Sequence, residues 1–176
     1  VLEAGMDAGL VAQDIGEEYG GKGFSLEQVL AIAEEFYRAD AGIALTLQLA
    51  SFGAEILEEH GDDELQEQFL RPVAENEEIT GLAVSEPDTG SDLAGMSTTA
   101  EKDGDEWVIN GEKYWIGNGV EADWVTVYAK TGDDESNRYG NYSLFVVPTD
   151  TEGYNAEHIP EKMAFRASKQ AHLTLE

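Results

Sequence analysis

The sequence predicts an α+β fold in which an N-terminal helical domain is followed by a small antiparallel β-barrel or sandwich. Apolar residues recur at helical spacing as far as about residue 77, and from Ile79 onward short strand-like runs alternate with turns. Helices that precede strands in this segregated way are typical of α+β proteins. We therefore predict a helical domain over residues 1–77 and a β-domain over residues 78–176.

The first predicted helix begins at a capping box. Ser25 stands three positions before Gln28, a spacing that lets each side chain bond the other residue's backbone N–H. A second helix is predicted over residues 41–59, and we expect it to be buried because apolar residues surround most of its first half. The apolar residues of the first helix are Leu26, Val29, Leu30, Ala33, Phe36 and Tyr37.

Three further residues mark predicted helix ends. Gly61 stands where a left-handed C-terminal cap belongs, and Asp62 can cap a third helix with its side chain. Pro72 is expected to end or kink that third helix, because it lacks a backbone N–H and its ring crowds the preceding turn.

The second half of the chain contains short predicted strands. The Asn110-Gly111 dipeptide is a strong hairpin signal, so residues 107–109 and 112–116 should pair as the arms of a hairpin. A turn is predicted at residues 103–105, and residues 131–141 are predicted to form an exposed loop. The strand-like alternation of residues 172–176 continues to the final residue, and the chain begins with Val1. We therefore expect the chain to be part of a longer polypeptide. The other predicted strands are residues 79–84, 97–102, 124–130, 142–148 and 172–176.

The chain is strongly acidic. It has 37 Asp and Glu against 10 Lys and Arg, a formal net charge of −27 at pH 7, which repels nucleic acid and anionic membranes. One interpretation is a surface that binds cations or basic partners, and the other is the carboxylate-rich surface of a protein from a salt-loving organism. We favour the second, because the acidic residues are scattered and a Debye length of about 3 Å in molar salt would screen their repulsion.

Cysteine is absent, which excludes disulfides and thiolate zinc sites. The three histidines are far apart and show no metal-ligand spacing, so we predict no metal site. No apolar run in the sequence is long enough for a transmembrane helix. We expect a cytoplasmic protein that binds neither nucleic acid nor membrane.

Residues 81–92 carry the polar groups best suited to a ligand. A predicted strand delivers the hydroxyl of Ser85, Pro87 then breaks the strand, and a loop with Gly90 and Ser91 follows. Hydroxyls, loop N–H groups and a glycine that admits close approach suit a polar or anionic planar ligand. From the residues alone, an ordinary strand-to-loop turn explains the same composition.

Several segments, in order along the chain, resemble the acyl-CoA dehydrogenase family. Residues 85–92 read S-E-P-D-T-G-S-D, similar to the family's T-E-P-x-x-G-S-D, and residues 110–119 read N-G-E-K-Y-W-I-G-N-G, similar to N-G-x-K-x-W-I-T-N-G. Residues 17–21 resemble the family's P-E-E-Y-G-G, and residues 162–176 resemble its K-x-G-x-R-x-S stretch with the strand after it. Two independent segments in register are far more specific than a lone glycine motif.

The resemblance implies residue roles. Family members have an N-terminal helical domain, a middle β-domain and a C-terminal four-helix bundle, which has no counterpart in this chain, and FAD lies between the last two. Ser91 would contact the flavin phosphate region or the acyl-CoA substrate, and Trp115 would pack beside the flavin ring, whereas Trp107 is predicted to fill the core. The implied cofactor-binding residues are Leu82, Val84, Ser85, Gly90, Ser91, Trp115, Ile116 and Gly117.

Two features of these segments leave questions open. Gly117 stands where the family usually has Thr, whose hydroxyl lies near flavin N5, so we expect altered redox tuning from a lost hydrogen bond of about 1 kcal/mol. Lys162, Arg166 and Lys169 lie close together in an acidic chain. Binding of the phosphates of FAD or CoA and a solvated loop explain this cluster equally well.

The implied reaction is FAD-dependent α,β-dehydrogenation of an acyl-CoA thioester to a trans-2-enoyl-CoA, with electron-transferring flavoprotein as the electron acceptor. The catalytic base would come from the C-terminal bundle, so we predict no catalytic residue here and no activity for this chain alone. A homo-oligomer, tetramer or dimer, is expected. The alternatives are a flavoprotein oxidase or monooxygenase of the same fold, and a non-catalytic relative that binds acyl-CoA or a protein partner.

Overall fold

The structure, a computed structural model, describes residues 1–134, 136 and 140–176. Helices occupy the first part of the chain and a curled mixed sheet the second. Within the described residues, no helix has the length and apolar character needed to cross a membrane. The helices are α1 (Leu2–Asp7), α2 (Leu26–Ala39), α3 (Ala41–Gln48), α4 (Ala54–His60), α5 (Asp63–Leu65) and α6 (Arg71–Ala74). The strands are β1 (Thr80–Ala83), β2 (Thr99–Asp103), β3 (Glu106–Gly117), β4 (Trp124–Lys130), β5 (Tyr142–Pro148), β6 (Tyr154–His158) and β7 (Gln170–Leu175).

The capping box at the start of α2 is confirmed, and the Ser25 backbone N–H donates to Gln28 Oε1 at 2.9 Å. The apolar face of α2 is only partly covered, since Leu26 and Leu30 are 70% and 58% exposed. Phe36 packs against the core beneath the helices. Helical periodicity therefore identified the helix but not how much of its apolar face is buried.

The single helix predicted over residues 41–59 is wrong. α3 ends at Gln48, a 3₁₀ turn spans Leu49–Ser51, and α4 begins after Gly53, whose φ is +101°. A Cβ at Gly53 would lie 3.3 Å from the carbonyl oxygen of Gly81 in β1. Contact with the sheet breaks the helix there, and only glycine combines that backbone conformation with so close an approach.

The predictions at the next two helix ends have mixed outcomes. Gly61 ends α4 in an extended conformation rather than a left-handed one, with φ −69° and ψ 149°. A Cβ on it would come within 2.6 Å of the Leu57 carbonyl oxygen, so the position needs glycine for space rather than for positive φ. Asp62 does cap α5, because its carboxylate accepts from the Leu65 N–H at 2.9 Å.

Pro72 lies in an irregular helix that ends shortly after it, which agrees with the helix end predicted there. A π-helical turn spans Gln66–Leu70, between α5 and the short α6 that carries the proline. α6 then ends at Ala74, two residues after a proline that cannot donate to the helical ladder.

The hairpin predicted at Asn110-Gly111 is wrong. β3 runs straight through this dipeptide, pairing with β2 in its first half and with β7 in its second. The turn predicted at residues 103–105 is confirmed: it joins β2 and β3 as a hairpin, and Gly104 has φ +62°. At Gly111 a Cβ would lie 2.7 Å from Thr98 Cα, so this glycine permits close packing rather than a turn.

The sheet is mixed, so the antiparallel prediction is only partly right. The strand order is β1-β4-β2-β3-β7-β6, with β5 also paired to β4. β1 runs parallel to β4, whereas β2 with β3, β3 with β7, β4 with β5 and β6 with β7 are antiparallel. β6 was not predicted, because it has five residues of which three are polar, and its alternation consists only of Tyr154 and Ala156. The loop predicted over 131–141 lies partly outside the described residues.

Two apolar clusters hold the fold together. The first lies beneath the helices and includes Trp124 of β4, whose ring meets Phe69 edge to face at 5.9 Å. The second lies within the curled sheet around Val125, Val127 and Leu173. Trp107 belongs to neither cluster, so its predicted core role is wrong: it is 44% exposed beside an open cavity of about 440 Å³.

Candidate functional site

The two motif segments of the sequence lie side by side. Lys113 of β3 donates from Nζ to the Val84 carbonyl oxygen at 3.1 Å and to Glu86 Oε1 at 2.9 Å. The Tyr114 N–H donates to the Ser85 carbonyl oxygen at 2.8 Å. These three bonds hold the segment just after β1 against the middle of β3. This segment contains Val84 and Ser85, two of the predicted flavin-binding residues.

Glu86 and Lys113 form a buried ion pair whose acid is fully hydrogen-bonded. The Glu86 side chain is 2% exposed and that of Lys113 is 0% exposed. Glu86 Oε2 accepts from the Ser97 N–H and Oγ, both at 2.7 Å, and Oε1 accepts from the Thr98 N–H at 3.0 Å. Burial raises the pKa of Glu86, but the hydrogen bonds from Thr98, Ser97 and Lys113 outweigh it and hold that pKa at about 2. Burial also lowers the pKa of Lys113, an effect that the bond to Glu86 opposes.

Neither member of this pair was identified from the sequence. The available signal was Lys113, the single basic residue of the two motif segments, which also contain four acidic residues. Motif position alone did not show that Lys113 would meet Glu86, because β1 and β3 are not neighbouring strands and their contact depends on the folding of the whole sheet.

Glu86 gives the fold a defined acid dependence. Its pKa in the folded chain, about 2, lies below the ordinary value of 4.5, so ionised Glu86 stabilises the fold above about pH 4.5 and this contribution disappears as the pH falls through about 2. We expect the loss of unfolding free energy in Glu86→Gln to be large at neutral pH and to shrink steadily below pH 4.5. Urea titrations across this range measure it, and a difference that does not vary with pH would contradict the assignment.

Trp115 projects out of the sheet. The pairing of β3 with β7 shifts register between Tyr114 and Ile116, and Trp115 at this bulge has φ +64°. Its side chain is 54% exposed and contacts the Tyr114 ring edge to face at 5.0 Å. This exposure excludes core filling as the role of Trp115. A strained backbone that exposes a large apolar ring is typical of a ligand site.

The two residues after Trp115, Ile116 and Gly117, present backbone atoms rather than side chains at the candidate site. Ile116 is 2% exposed and packs inside the sheet, so its apolar group faces away from solvent. Gly117 ends β3 beside Gly81 of β1. A Cβ added to Gly81 would lie 2.5 Å from the Gly117 carbonyl oxygen. Leu82 on β1 is half-buried, as are Val84 and Ser85.

The loop after β1 has a fixed base and an open tip. Glu86 and Thr89 exchange backbone hydrogen bonds at 2.8 and 3.2 Å, and Thr89 Oγ1 donates to the Gly95 carbonyl oxygen at 3.1 Å. Gly90 and Ser91 at the tip are exposed, and a Cβ added to Gly90 would meet no atom within 4 Å. The tip therefore leaves room for a ligand to approach the backbone.

The basic residues near the end of the chain bond atoms within and beside an exposed loop. Lys162 Nζ donates to the carbonyl oxygens of Phe165 and Ser168, and Arg166 Nε donates to the Lys162 carbonyl oxygen at 2.9 Å. Burial lowers the pKa of Lys162. Lys169 forms an ion pair with Glu121. Arg166 and Lys169 are exposed, as the interpretation of a solvated loop expects, and phosphate binding by this cluster stays a prediction.

The arrangement fits a planar ligand with a polar tail. The exposed indole of Trp115 lies on β3 between Tyr114, which bonds Ser85 just after β1, and Gly117, which closely approaches Gly81. The open loop with Gly90 and Ser91 follows β1 in the chain. A flavin has such a flat ring and a phosphate-bearing tail, so the residues present suit it.

Comparison with known proteins gives consistent matches. Residues 1–77 match the model of the acyl-CoA dehydrogenase N-terminal domain, and residues 81–176 match that of the acyl-CoA dehydrogenase middle domain. Cyclohexane-1-carbonyl-CoA dehydrogenase of Syntrophus aciditrophicus (strain SB) is 36% identical over 171 residues, which cover 97% of this chain and 44% of that protein.

Two solved structures are also similar to the chain. Glutaryl-CoA dehydrogenase from Mycobacterium smegmatis in complex with FADH2 has a TM-score of 0.89 at 31% identity, covering 99% of this chain and 44% of its own. The prolyl acyl carrier protein oxidase AnaB has a TM-score of 0.88 at 27% identity, covering 98% and 46%. The chain thus spans less than half the length of each of these relatives.

Proposed function

The chain belongs to the acyl-CoA dehydrogenase family, and we propose that it forms the helical domain (1–77) and the flavin-binding β-domain (78–176) of an enzyme that converts an acyl-CoA thioester to a trans-2-enoyl-CoA. The observation that carries this proposal is the exposed Trp115 beside two motif segments joined through Lys113. The relative from M. smegmatis was solved with FADH2, which supports FAD as the cofactor.

In this proposal the chain binds and orients FAD, which supplies the redox chemistry when bound. Trp115 packs against the ring, and the Val84 main chain and the Ser85 hydroxyl bond its polar edge. Gly90 and Ser91 lie beside the phosphates or the acyl-CoA, and Ser91 is the proposed substrate contact. Leu82 borders the ring, while Ile116 and Gly117 contribute main chain.

The base that removes the α-proton is proposed to lie outside this chain. The carboxylate closest in sequence to the proposed ring contacts is Glu86, which is bound to Lys113 and has a pKa of about 2. A group this acidic and this enclosed is a poor general base near neutral pH. The 176-residue chain alone is therefore proposed to be inactive.

The decisive experiment compares the 176-residue chain with a longer polypeptide that adds the C-terminal region of the family. Each is mixed with FAD and acyl-CoA without oxygen, and the absorbance of oxidised flavin is followed. The longer polypeptide should lose this absorbance and yield enoyl-CoA, whereas the chain alone should not. Failure of the longer polypeptide to bind FAD would refute the proposal.

Substituting Gly90 by Ala separates ligand binding from folding. A Cβ at this position meets no atom within 4 Å, so thermal unfolding should be unchanged. Binding of FAD or acyl-CoA by the longer polypeptide should weaken about tenfold, equivalent to roughly 1.4 kcal/mol, because the methyl group occupies the space of the approaching ligand. Gly104→Ala, also open but in the β2–β3 turn, is the control and should bind normally. Equal affinities in both variants would remove Gly90 from the site.

The oxidase alternative rests on the similarity to AnaB. Rapid reoxidation of the reduced flavin by oxygen would favour an oxidase or monooxygenase, whereas slow reoxidation and fast transfer to electron-transferring flavoprotein would favour a dehydrogenase. Absence of flavin after reconstitution would favour a non-catalytic relative that binds acyl-CoA or a protein partner.

We further propose a cytoplasmic protein from a salt-loving organism, which forms a dimer or tetramer when complete. The absence of cysteine supports the cytoplasmic location, and the net charge of −27 supports the salt-loving organism. Unfolding measured as a function of KCl concentration tests the salt requirement, and the mass of the longer polypeptide in solution tests the oligomer.

A further inference from the structure

Asn118 joins the end of β3 to three other segments of the fold. It is fully buried and has φ +61°, a left-handed conformation that Asn adopts more readily than most residues. Its Nδ2 donates to the Leu49 carbonyl oxygen at 2.7 Å and to the Thr80 carbonyl oxygen at 3.1 Å. Its backbone N–H donates to the Lys169 carbonyl oxygen at 3.2 Å. The helical part is therefore bonded to the sheet at the residue that follows Gly117.

The side chain of Leu49 lies over Gly117. A Cβ added to Gly117 would be 3.0 Å from Leu49 Cδ1, closer than ordinary van der Waals contact. A side chain at residue 117 therefore requires the leucine side chain at residue 49 to shift.

We propose that Leu49 takes the place of a side chain at residue 117. The helical part, rather than β3 itself, then supplies the apolar group at the end of β3, and Asn118 is the positioning residue that holds the two together. The consequence for the ligand rests on the proposed function: methyl groups of Leu49 border the flavin site beside Trp115, at a point where β3 offers only main chain.

The first test is a double-mutant cycle on the 176-residue chain, with Gly117→Thr, Leu49→Ala and the double variant. Gly117→Thr should lower the unfolding temperature by roughly 4–8 °C through overpacking, and Leu49→Ala should lower it through the space it leaves. In the double variant the threonine fills that space, so its unfolding temperature should be at or above that of Leu49→Ala. A loss equal to the sum of the two single losses would overturn the proposal.

The second test concerns Asn118 and reads amide hydrogen exchange by peptide. Asn118→Gly keeps the left-handed backbone but removes both side-chain donors, so exchange should rise about tenfold in residues 49–51 and 115–118 and stay unchanged in β4 and β5. Asn76→Gly is the matched control, because Asn76 has the same φ of +61° but lies between α6 and β1. A uniform rise across the chain would overturn the positioning role.

The two proposals fail in different ways. If the flavin function is wrong, the longer polypeptide binds no FAD, yet the cycle at residues 49 and 117 still departs from additivity. If the Leu49 assignment is wrong, FAD binds but the cycle is additive, and the absorbance spectrum of bound flavin is the same in Leu49→Ala as in the unaltered protein.

Discussion

Replacing Lys113 by Met should lower the free energy of unfolding by roughly 3–5 kcal/mol, because the change leaves a buried carboxylate without its cation. Lys113 Nζ lies 2.9 Å from Glu86 Oε1 with both side chains almost fully buried, and it also satisfies the Val84 carbonyl oxygen at 3.1 Å. Methionine keeps most of the volume, so a loss of this size reports the missing charge and hydrogen bonds rather than a cavity. Urea unfolding of the 176-residue chain at neutral pH measures it.

Two further variants isolate the cause. Lys113→Met combined with Glu86→Gln removes both charges and should recover a large part of the loss, since no unpaired ion stays buried. Lys169→Met breaks an ion pair in which Lys169 is 48% and Glu121 is 33% exposed. It should lower the free energy of unfolding by only about 0–1 kcal/mol. Similar losses of unfolding free energy for Lys113→Met and Lys169→Met would mean that burial does not make the Glu86–Lys113 pair more important for stability than an exposed pair.

This pair also connects stability to the candidate site. Lys113 reaches Val84 and Glu86 on one segment, and the next residue, Tyr114, bonds the Ser85 carbonyl oxygen at 2.8 Å. Trp115 follows immediately at the bulge. The position of the exposed indole relative to the end of β1 is therefore set by contacts within three consecutive residues of β3.

The parts of the fold that the sequence predicted well depend on local chemistry. The capping box at Ser25 and the cap at Asp62 each need only partners within three residues. The spacing of apolar residues changes from helical to strand-like after residue 77. This change is also local, because it depends only on residues that are near one another in sequence. The mixed sheet was not predictable in this way, because the parallel pairing of β1 with β4 joins residues far apart in sequence.

The sequence motifs indicated candidate ligand contacts but not the bonds that motif residues make with one another. Of the predicted contacts, Trp115 and Gly90 are exposed, whereas Ile116 is buried. Glu86, Lys113 and Asn118 stand in the same motifs, but their roles are defined by partners elsewhere in the chain. Such partners become visible only once the strand register and the contact between helices and sheet are known.

Three glycines show where local turn and helix rules were insufficient. At Gly111 a Cβ would lie 2.7 Å from Thr98 Cα, and at Gly61 it would lie 2.6 Å from the Leu57 carbonyl oxygen of the preceding helix. Gly53 interrupts the predicted helix with a φ of +101°. The amino acid is the same in a turn and in a tight contact, so its sequence neighbours do not distinguish the two.

Substituting Gly111 by Ala should therefore destabilise the chain strongly, by roughly 3 kcal/mol or more, although it lies in an Asn-Gly pair that is typical of a tolerant turn. The new Cβ would lie 2.5 Å from Thr98 Oγ1 and 2.7 Å from Thr98 Cα. The hydroxyl can rotate away, but the Cα belongs to the backbone, so the strand itself must move. The φ of +153° adds strain for any residue with a Cβ.

The matched control is Gly104→Ala at the turn that the structure does contain. Its φ of +62° costs an alanine about 1–2 kcal/mol, but no atom lies within 4 Å of the added Cβ. Urea unfolding should rank Gly111→Ala as clearly less stable than Gly104→Ala. A hairpin at Asn110-Gly111 would instead give similar losses for the two variants, because residue 111 would then lie at an exposed turn, as residue 104 does. The ranking of these two variants therefore tests the path of β3, and with it the register that brings Lys113 to Glu86 and Trp115 to the candidate site.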